Sequence, residues 1–142
     1  MDLCYTPARR LARLIRRREL SAREVVLAFI ERIERMNPKL NAIVTFLPEQ
    51  ALAQARALDR RKPHPGLLAG LPIAIKDVIA TKGVRTTFGS LVHKDHVPGE
   101  DHLLAERLKA AERPYLDLGL KVQEGRVVLQ LRNTGRTMAP EW

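Results

Sequence analysis

A chain of 142 residues with 45% apolar and 29% charged side chains has globular composition in a single-domain length, enough to bury a real core. Its one cysteine, Cys4, excludes an internal disulfide and a cysteine-rich zinc site. No apolar run approaches the ~20 residues that span a bilayer, and no apolar stretch with a cleavage site follows the basic N-terminus. A soluble, cytoplasmic protein with no membrane partner is therefore expected.

The net charge of +9 is uneven: residues 1–62 carry 14 basic and 7 acidic side chains, residues 63–142 carry 11 and 9. Arg9, Arg10, Arg13, Arg16, Arg17 and Arg18 cluster where Leu11, Leu14 and Ile15 recur at helical spacing. Such a helix could lie on phosphates or on an acidic partner. No nucleic-acid module is visible, however, and no aromatics interleave with the arginines. An ordinary solvated helix face is the simpler reading, and a nucleic-acid partner is not expected.

Thr6-Pro7 starts a helix running to about Arg18, because proline's missing N–H is not needed at the first helical position. Ser21-Ala22-Arg23-Glu24 is a capping box, with Leu20 and Val25 placed as a hydrophobic staple. Val25, Val26, Phe29, Ile30 and Ile33 then form an apolar stripe that Asn37-Pro38 should end. Residues 42–47 are β-rich and predict a short strand. Pro48 opens a further helix with Leu52, Ala55 and Leu58 inward, and residues 62–66 read as a surface loop.

Residues 71–75 predict a buried strand, with Pro72 at its beginning or at an edge. Lys76 and Asp77 follow at once. Flanked by Ile73, Ala74, Ile75, Val78 and Ile79, Lys76 is open to two readings: partial desolvation, which favours a neutral amine, or an ammonium that snorkels out of an edge strand, which composition alone favours. Further on, Gly99-Glu100-Asp101 puts negative charge at a helix start, and Leu104, Leu108 and Ala111 supply its apolar face, with Pro114 at its end. Leu116, Leu118, Leu120 and Val122 alternate, as do Val127, Leu129 and Leu131, so a β-hairpin turning at residues 123–126 is predicted.

Leu68-Ala69-Gly70-Leu71-Pro72-Ile73-Ala74-Ile75-Lys76-Asp77, followed by Thr81-Lys82-Gly83-Val84-Arg85-Thr86-Thr87-Phe88-Gly89-Ser90, resembles the amidase signature family. That family includes bacterial amidases and the A subunit of the glutamyl-tRNA amidotransferase. The similarity extends from the preceding helices and Asn41-Ala42-Ile43 through residues 94–98 and 105–111, covering roughly the family's N-terminal portion. It implies hydrolysis of carboxamide C–N bonds by a Ser–Ser–Lys triad, with no cofactor and no metal, and Lys76 stands at the family's catalytic lysine. A neutral lysine takes the proton of a relay serine, which deprotonates the serine that attacks the amide carbon. Such chemistry needs an adjacent base because a serine near its free pKa is a weak nucleophile.

The two serines of the triad belong to a Gly/Ser-rich stretch that this chain lacks; its only serines are Ser21 and Ser90. Ser21 has a capping role, and Ser90 ends the Thr-Thr-Phe-Gly-Ser element, which is neither the nucleophile nor the relay position. Substrate-binding residues remain unassigned. Residues 112–134 depart from the family, and Gly135-Arg136-Thr137-Met138-Ala139-Pro140-Glu141-Trp142 resembles its continuation, with Met138 in the usual Asn position. The expectation is a truncated α/β/α amidase fold, with an amidase-like unit at 1–111, an atypical hairpin insertion at 112–134 and a terminal element at 135–142. Its helices would pack on a short mixed sheet. Such a protein is inactive alone, or is one component that meets an amide substrate only when a second chain completes it. Exposed sheet edges would favour self-association.

Remaining candidates read as structural. His64, His93, His96 and His102 could suggest a metal site, but no clear helix holds His93 and His96, three apart, and Pro98-Gly99 separates them from His102, so coincidence is the simpler reading. Asp77 should bond to the following loop, Arg85, Thr86 and Thr87 should order a turn, and Cys4 has no paired histidine in a recognisable motif.

Overall fold

The computed structural model describes residues 2–61, 66, 68–111, 116–123 and 126–133. Helix α1 (Ala8–Arg16) begins behind Pro7 and buries Leu11, Ala12 and Ile15. It closes at Arg18, whose φ of 59° lies in the left-handed region, and the N–H of Glu19 donates to the Leu14 carbonyl at 3.0 Å.

Helix α2 (Ala22–Leu40) carries the predicted capping box: the Glu24 N–H donates to the Ser21 hydroxyl at 3.0 Å and the Glu24 carboxylate accepts the Ser21 N–H at 2.8 Å. The bonds from Ser21 hold the Glu24 carboxyl below its ordinary pKa. The sequence did not reveal a second cap. Asp59, the last residue of α3 (Pro48–Asp59), accepts the N–H groups of Ala22 at 2.8 Å and Arg23 at 3.1 Å. Three orphan donors of α2 are thereby satisfied, two of them by a residue more than 35 positions away. Asp59→Ala should cost about 1–2 kcal/mol and shift the urea midpoint accordingly, whereas Asp59→Asn should retain part of the cap.

Helix α2 continues through Asn37-Pro38 to Leu40 instead of ending there. Pro38 falls in the last turn, where only one intrahelical bond is lost. The Asn37 amide secures the exit by donating to the Ile43 carbonyl and accepting the Ile43 N–H, both at 2.9 Å. Asn41, at φ 47°, then closes the helix in the left-handed conformation.

The core sits on two faces of α2. On one, Ala22, Val26 and Ile30 pack with Ala55, flanked by Phe46, Leu52 and Leu58. On the other, Val25 packs with Leu11 and Ile15, flanked by Leu20, Phe29 and Leu71. Leu20 against Val25 is the predicted staple. Leu71 brings the following segment onto this core, and Gly70 at φ 84° makes the approach possible.

The expected α/β architecture is overturned. Residues 42–47 and 71–75 are not strands, and among the described residues up to 111 the only bridge is Thr81 with Val84. The helices pack on one another and not on a mixed sheet. A strand exists only with a ladder partner; these apolar segments find none among the described residues, and Pro72 lacks an N–H to offer one. The one sheet described is the antiparallel pair β1 (Leu116–Gln123) and β2 (Arg126–Asn133), the predicted hairpin, with Leu118 opposite Leu131 and Leu120 opposite Leu129. The exposed edges of a larger sheet, and the self-association drawn from them, lose their basis for residues 42–47 and 71–75.

Helix α4 (Leu103–Ala111) forms where predicted but with a different inward face: Ala105 is fully buried while Leu104 is 54% exposed. Its entry is set by tertiary bonds. The His102 N–H donates to the Ala80 carbonyl at 2.8 Å, and the Asp101 carboxylate accepts the Lys82 N–H at 2.7 Å. The expected loop at 62–65, the turn at 124–125, Pro114 and the terminal element at 135–142 lie outside the described residues.

Candidate active site

Lys76 opens a tight turn in which the Ile79 N–H donates to the Lys76 carbonyl at 2.9 Å. Its neighbour Asp77 ties this turn to the loop ten residues on. The Asp77 carboxylate accepts the Thr87 N–H at 2.9 Å, the Thr87 hydroxyl, and the Gly89 N–H at 3.3 Å, and the Asp77 carbonyl accepts the Phe88 N–H at 3.1 Å. Donation by Thr87, first from its hydroxyl and then from its backbone, holds the Asp77 carboxyl below the ordinary carboxylate pKa.

The loop has the geometry this lock requires. The Ser90 N–H bonds to the Thr87 carbonyl at 2.9 Å, and the two central residues have positive φ, 52° at Phe88 and 70° at Gly89, the signs of a type I′ turn. Glycine adopts this freely; phenylalanine does so at a conformational cost that the Asp77 bonds offset. The Phe88 ring is T-shaped on the ring of His93, centroids 5.5 Å apart, and lies 5.7 Å from that of His96. Arg85 donates to the carbonyls of Val44 and Lys94, and the Thr86 N–H donates to the His96 carbonyl at 3.0 Å. The motif residues thus build a hydrogen-bonded platform beside Lys76, as expected for Asp77, Arg85, Thr86 and Thr87.

Lys76 is exposed, as the snorkelling reading has it and not the desolvated one, and so are Ile73 at 46% and Val78 at 50%. The apolar neighbours read from sequence flank the lysine without enclosing it. Neither serine is bonded to it. The Ser21 hydroxyl donates to the Glu24 carboxylate at 2.7 Å, and the Ser90 hydroxyl accepts the Val92 N–H at 3.3 Å. His93 and His96 stack on Phe88, whereas His102 accepts the Leu104 N–H at the start of α4. No group of three potential metal ligands occurs among the described residues. Sequence reasoning missed the role of Asp101, which joins the Lys82 turn to the Lys109 ammonium at 2.8 Å; that ammonium holds its carboxyl pKa down. An aspartate immediately before a helix was visible, but its long-range partners were not.

A family model described as Amidase matches residues 24–115. The chain belongs to the amidase family. It is 41% identical over 114 residues to the A subunit of the glutamyl-tRNA(Gln) amidotransferase of Carboxydothermus hydrogenoformans, covering 78% of this chain and 24% of that protein. Against the corresponding protein of Methylococcus capsulatus it is 48% identical over 103 residues, covering 71% and 21%. A solved structure, from work described as revealing a vestigial protein complex and the evolutionary origins of an s-triazine catabolic enzyme, superposes with a TM-score of 0.70 at 30% identity. That match covers 77% of this chain and 25% of the other. The chain therefore spans about a quarter of the length of these amidase relatives. Among the described residues no helix is long and apolar enough to cross a membrane.

Proposed function

We propose that this chain is the lysine-bearing part of an amide C–N hydrolase, that Lys76 is its proton acceptor, and that it hydrolyses no amide alone. The observation that supports this reading is a rigidly held turn presenting Lys76 with no serine hydroxyl bonded to it. The nucleophilic and relay serines would come from residues outside this sequence. A lysine amine serves as a base only where enclosure favours its neutral form. Ile73 and Val78, which flank Lys76 in sequence, are suited to being covered, and Leu91 and Val92, which follow the loop tied to Asp77, are each 87% exposed. Covering them with apolar partner surface would dry the lysine and recover burial energy together. The neutral amine would then take the relay serine's proton as the nucleophilic oxygen attacks the amide carbon, with backbone N–H groups holding the oxyanion.

The test assays a panel of simple primary amides with the chain alone and with the remaining three-quarters of a related amidotransferase protein. No turnover is expected from the chain alone. The mixture should turn over, and Lys76→Ala should reduce its kcat at least about a hundredfold, the loss typical of a general base. Turnover by the chain alone that Lys76→Ala abolishes would refute the need for residues outside this sequence. A mixture that turns over equally well with Lys76→Ala would remove Lys76 from the mechanism.

A further inference from the structure

Helix α1 presents an unusual charge arrangement. At about 100° per residue, Arg9, Arg10, Arg13, Arg16 and Arg17 fall within an arc of roughly 120° around the α1 axis, opposite the buried Leu11, Ala12 and Ile15. All five are exposed, and α1 contains no acidic residue. Arg9 and Arg13, at i and i+4, and Arg13 and Arg16, at i and i+3, are like-charged neighbours that destabilise an isolated helix. The helix dipole accounts for arginines in the last turn but not for Arg9 and Arg10, which stand at the N-terminal end where positive charge is disfavoured. An ordinary solvated face would interleave acids. Here the nearest ion pair is a long one, Arg17 to Glu19 at 3.7 Å.

The tertiary structure extends the face. The Arg18 guanidinium donates to the Arg61 carbonyl at 3.1 Å, which places the exposed Arg60 and Arg61, just after α3, beside the C-terminal end of α1. We infer that this two-element arginine face binds the phosphodiester backbone of a nucleic-acid duplex without reading its sequence. Guanidinium groups meet phosphate oxygens through paired N–H donors, and backbone binding requires no aromatic stacking. A protein partner is commonly anchored by buried Trp and Tyr as well as Arg at the centre of the contact. None of the exposed large apolar residues belongs to α1; apart from Tyr5 they fall at or beyond residue 36. The absence of interleaved aromatics argues against stacking on the bases of a single strand and leaves duplex backbone binding intact. This inference is independent of the role of Lys76.

The test measures fluorescence anisotropy of labelled 20-base-pair duplex RNA and duplex DNA with the full chain between 50 and 200 mM salt. With four or five phosphates neutralised, log affinity should fall against log salt with a slope near −4, several hundred-fold over that range. Combining Arg9→Gln, Arg10→Gln, Arg13→Gln, Arg16→Gln and Arg17→Gln should weaken binding at least about thirtyfold and flatten the slope. A control with the same charge loss elsewhere (Arg35→Gln, Lys39→Gln, Lys82→Gln, Lys94→Gln and Arg107→Gln) should bind within about threefold of the parent. Equal losses in both variants, no binding to either duplex at 50 mM salt, or binding confined to phosphatidylserine vesicles would each overturn the inference. Should the arginine variant lose its helical circular dichroism, a parent slope shallower than about −2 would overturn it by itself.

Discussion

Gly70→Ala is expected to destabilise the protein by about 3 kcal/mol, a large share of the stability a small domain possesses. A Cβ at this position would lie 2.9 Å from the Ala22 Cβ and 3.2 Å from both the Ile15 Cδ1 and the Leu58 Cδ2. Ala22 is fully buried and is the first residue of α2, so its Cβ moves only if the helix moves. Ile15 belongs to α1 and Leu58 to α3, so the new methyl would wedge all three helices apart. The φ of 84° adds a backbone penalty on top of the clash. Gly83→Ala separates the two causes: its φ is 72°, but nothing lies within 4 Å of a Cβ there. That variant should lose only about 1 kcal/mol. Urea unfolding of the three proteins would measure both effects, and equal losses would show that packing around Gly70 contributes nothing.

Asp77→Ala is expected to release the loop that flanks Lys76. It removes the acceptor for the Thr87 N–H, the Thr87 hydroxyl and the Gly89 N–H, leaving Phe88 in a left-handed conformation with little to hold it. Hydrogen bonds to a charged acceptor at a half-exposed site suggest a cost of about 2 kcal/mol. Because the loop can open locally, the sharper readout is amide hydrogen exchange, with protection lost at Thr87 and Gly89. The pH dependence follows from the depressed carboxyl pKa. The unfolded chain takes up this proton at a higher pH than the folded one. The stabilisation is therefore complete above the ordinary aspartate range near pH 4 and is lost as pH falls through the lower folded value. In Asp77→Asn this acid-limb contribution should vanish, while a neutral acceptor for Thr87 remains. An unchanged exchange pattern in Asp77→Ala would show that the loop keeps its shape without the carboxylate. In the reconstituted assay the same variant should lower activity by displacing the platform while leaving Lys76 present.

Local features were legible because their causes are local. The Ser21 capping box, the Leu20–Val25 staple, Pro48 at a helix start and the alternating residues of the hairpin depend on neighbours a few positions away. The ordered Gly70–Asp77 and Thr81–Ser90 motifs, a resemblance of sequence, likewise identified the family. The strand readings at 42–47 and 71–75 failed because β-propensity describes a surface that a partner must share, and these segments have no ladder partner among the described residues. The helix-stop reading of Asn37-Pro38 failed because Asn37 satisfies the groups of Ile43 instead. For Lys76, the sequence left a desolvated amine and an ammonium reaching water both open, since flanking residues do not specify which side of them faces water; the fold exposes Lys76, Ile73 and Val78.

Sequence by itself determined where α1, α2 and α3 begin, which family the chain belongs to, and that a lysine-aspartate pair lies at the centre of the matched motif. Tertiary structure decided the rest: that Asp59 caps a distant helix, that Gly70 admits the motif between three helices, that Asp77 holds the Thr87–Gly89 turn, and that Arg60 and Arg61 join the arginines of α1. The division has one physical reason. Capping, turn and alternation preferences act over a few bonds along the chain, whereas burial, close approach and shared charge are set by which surfaces meet in space.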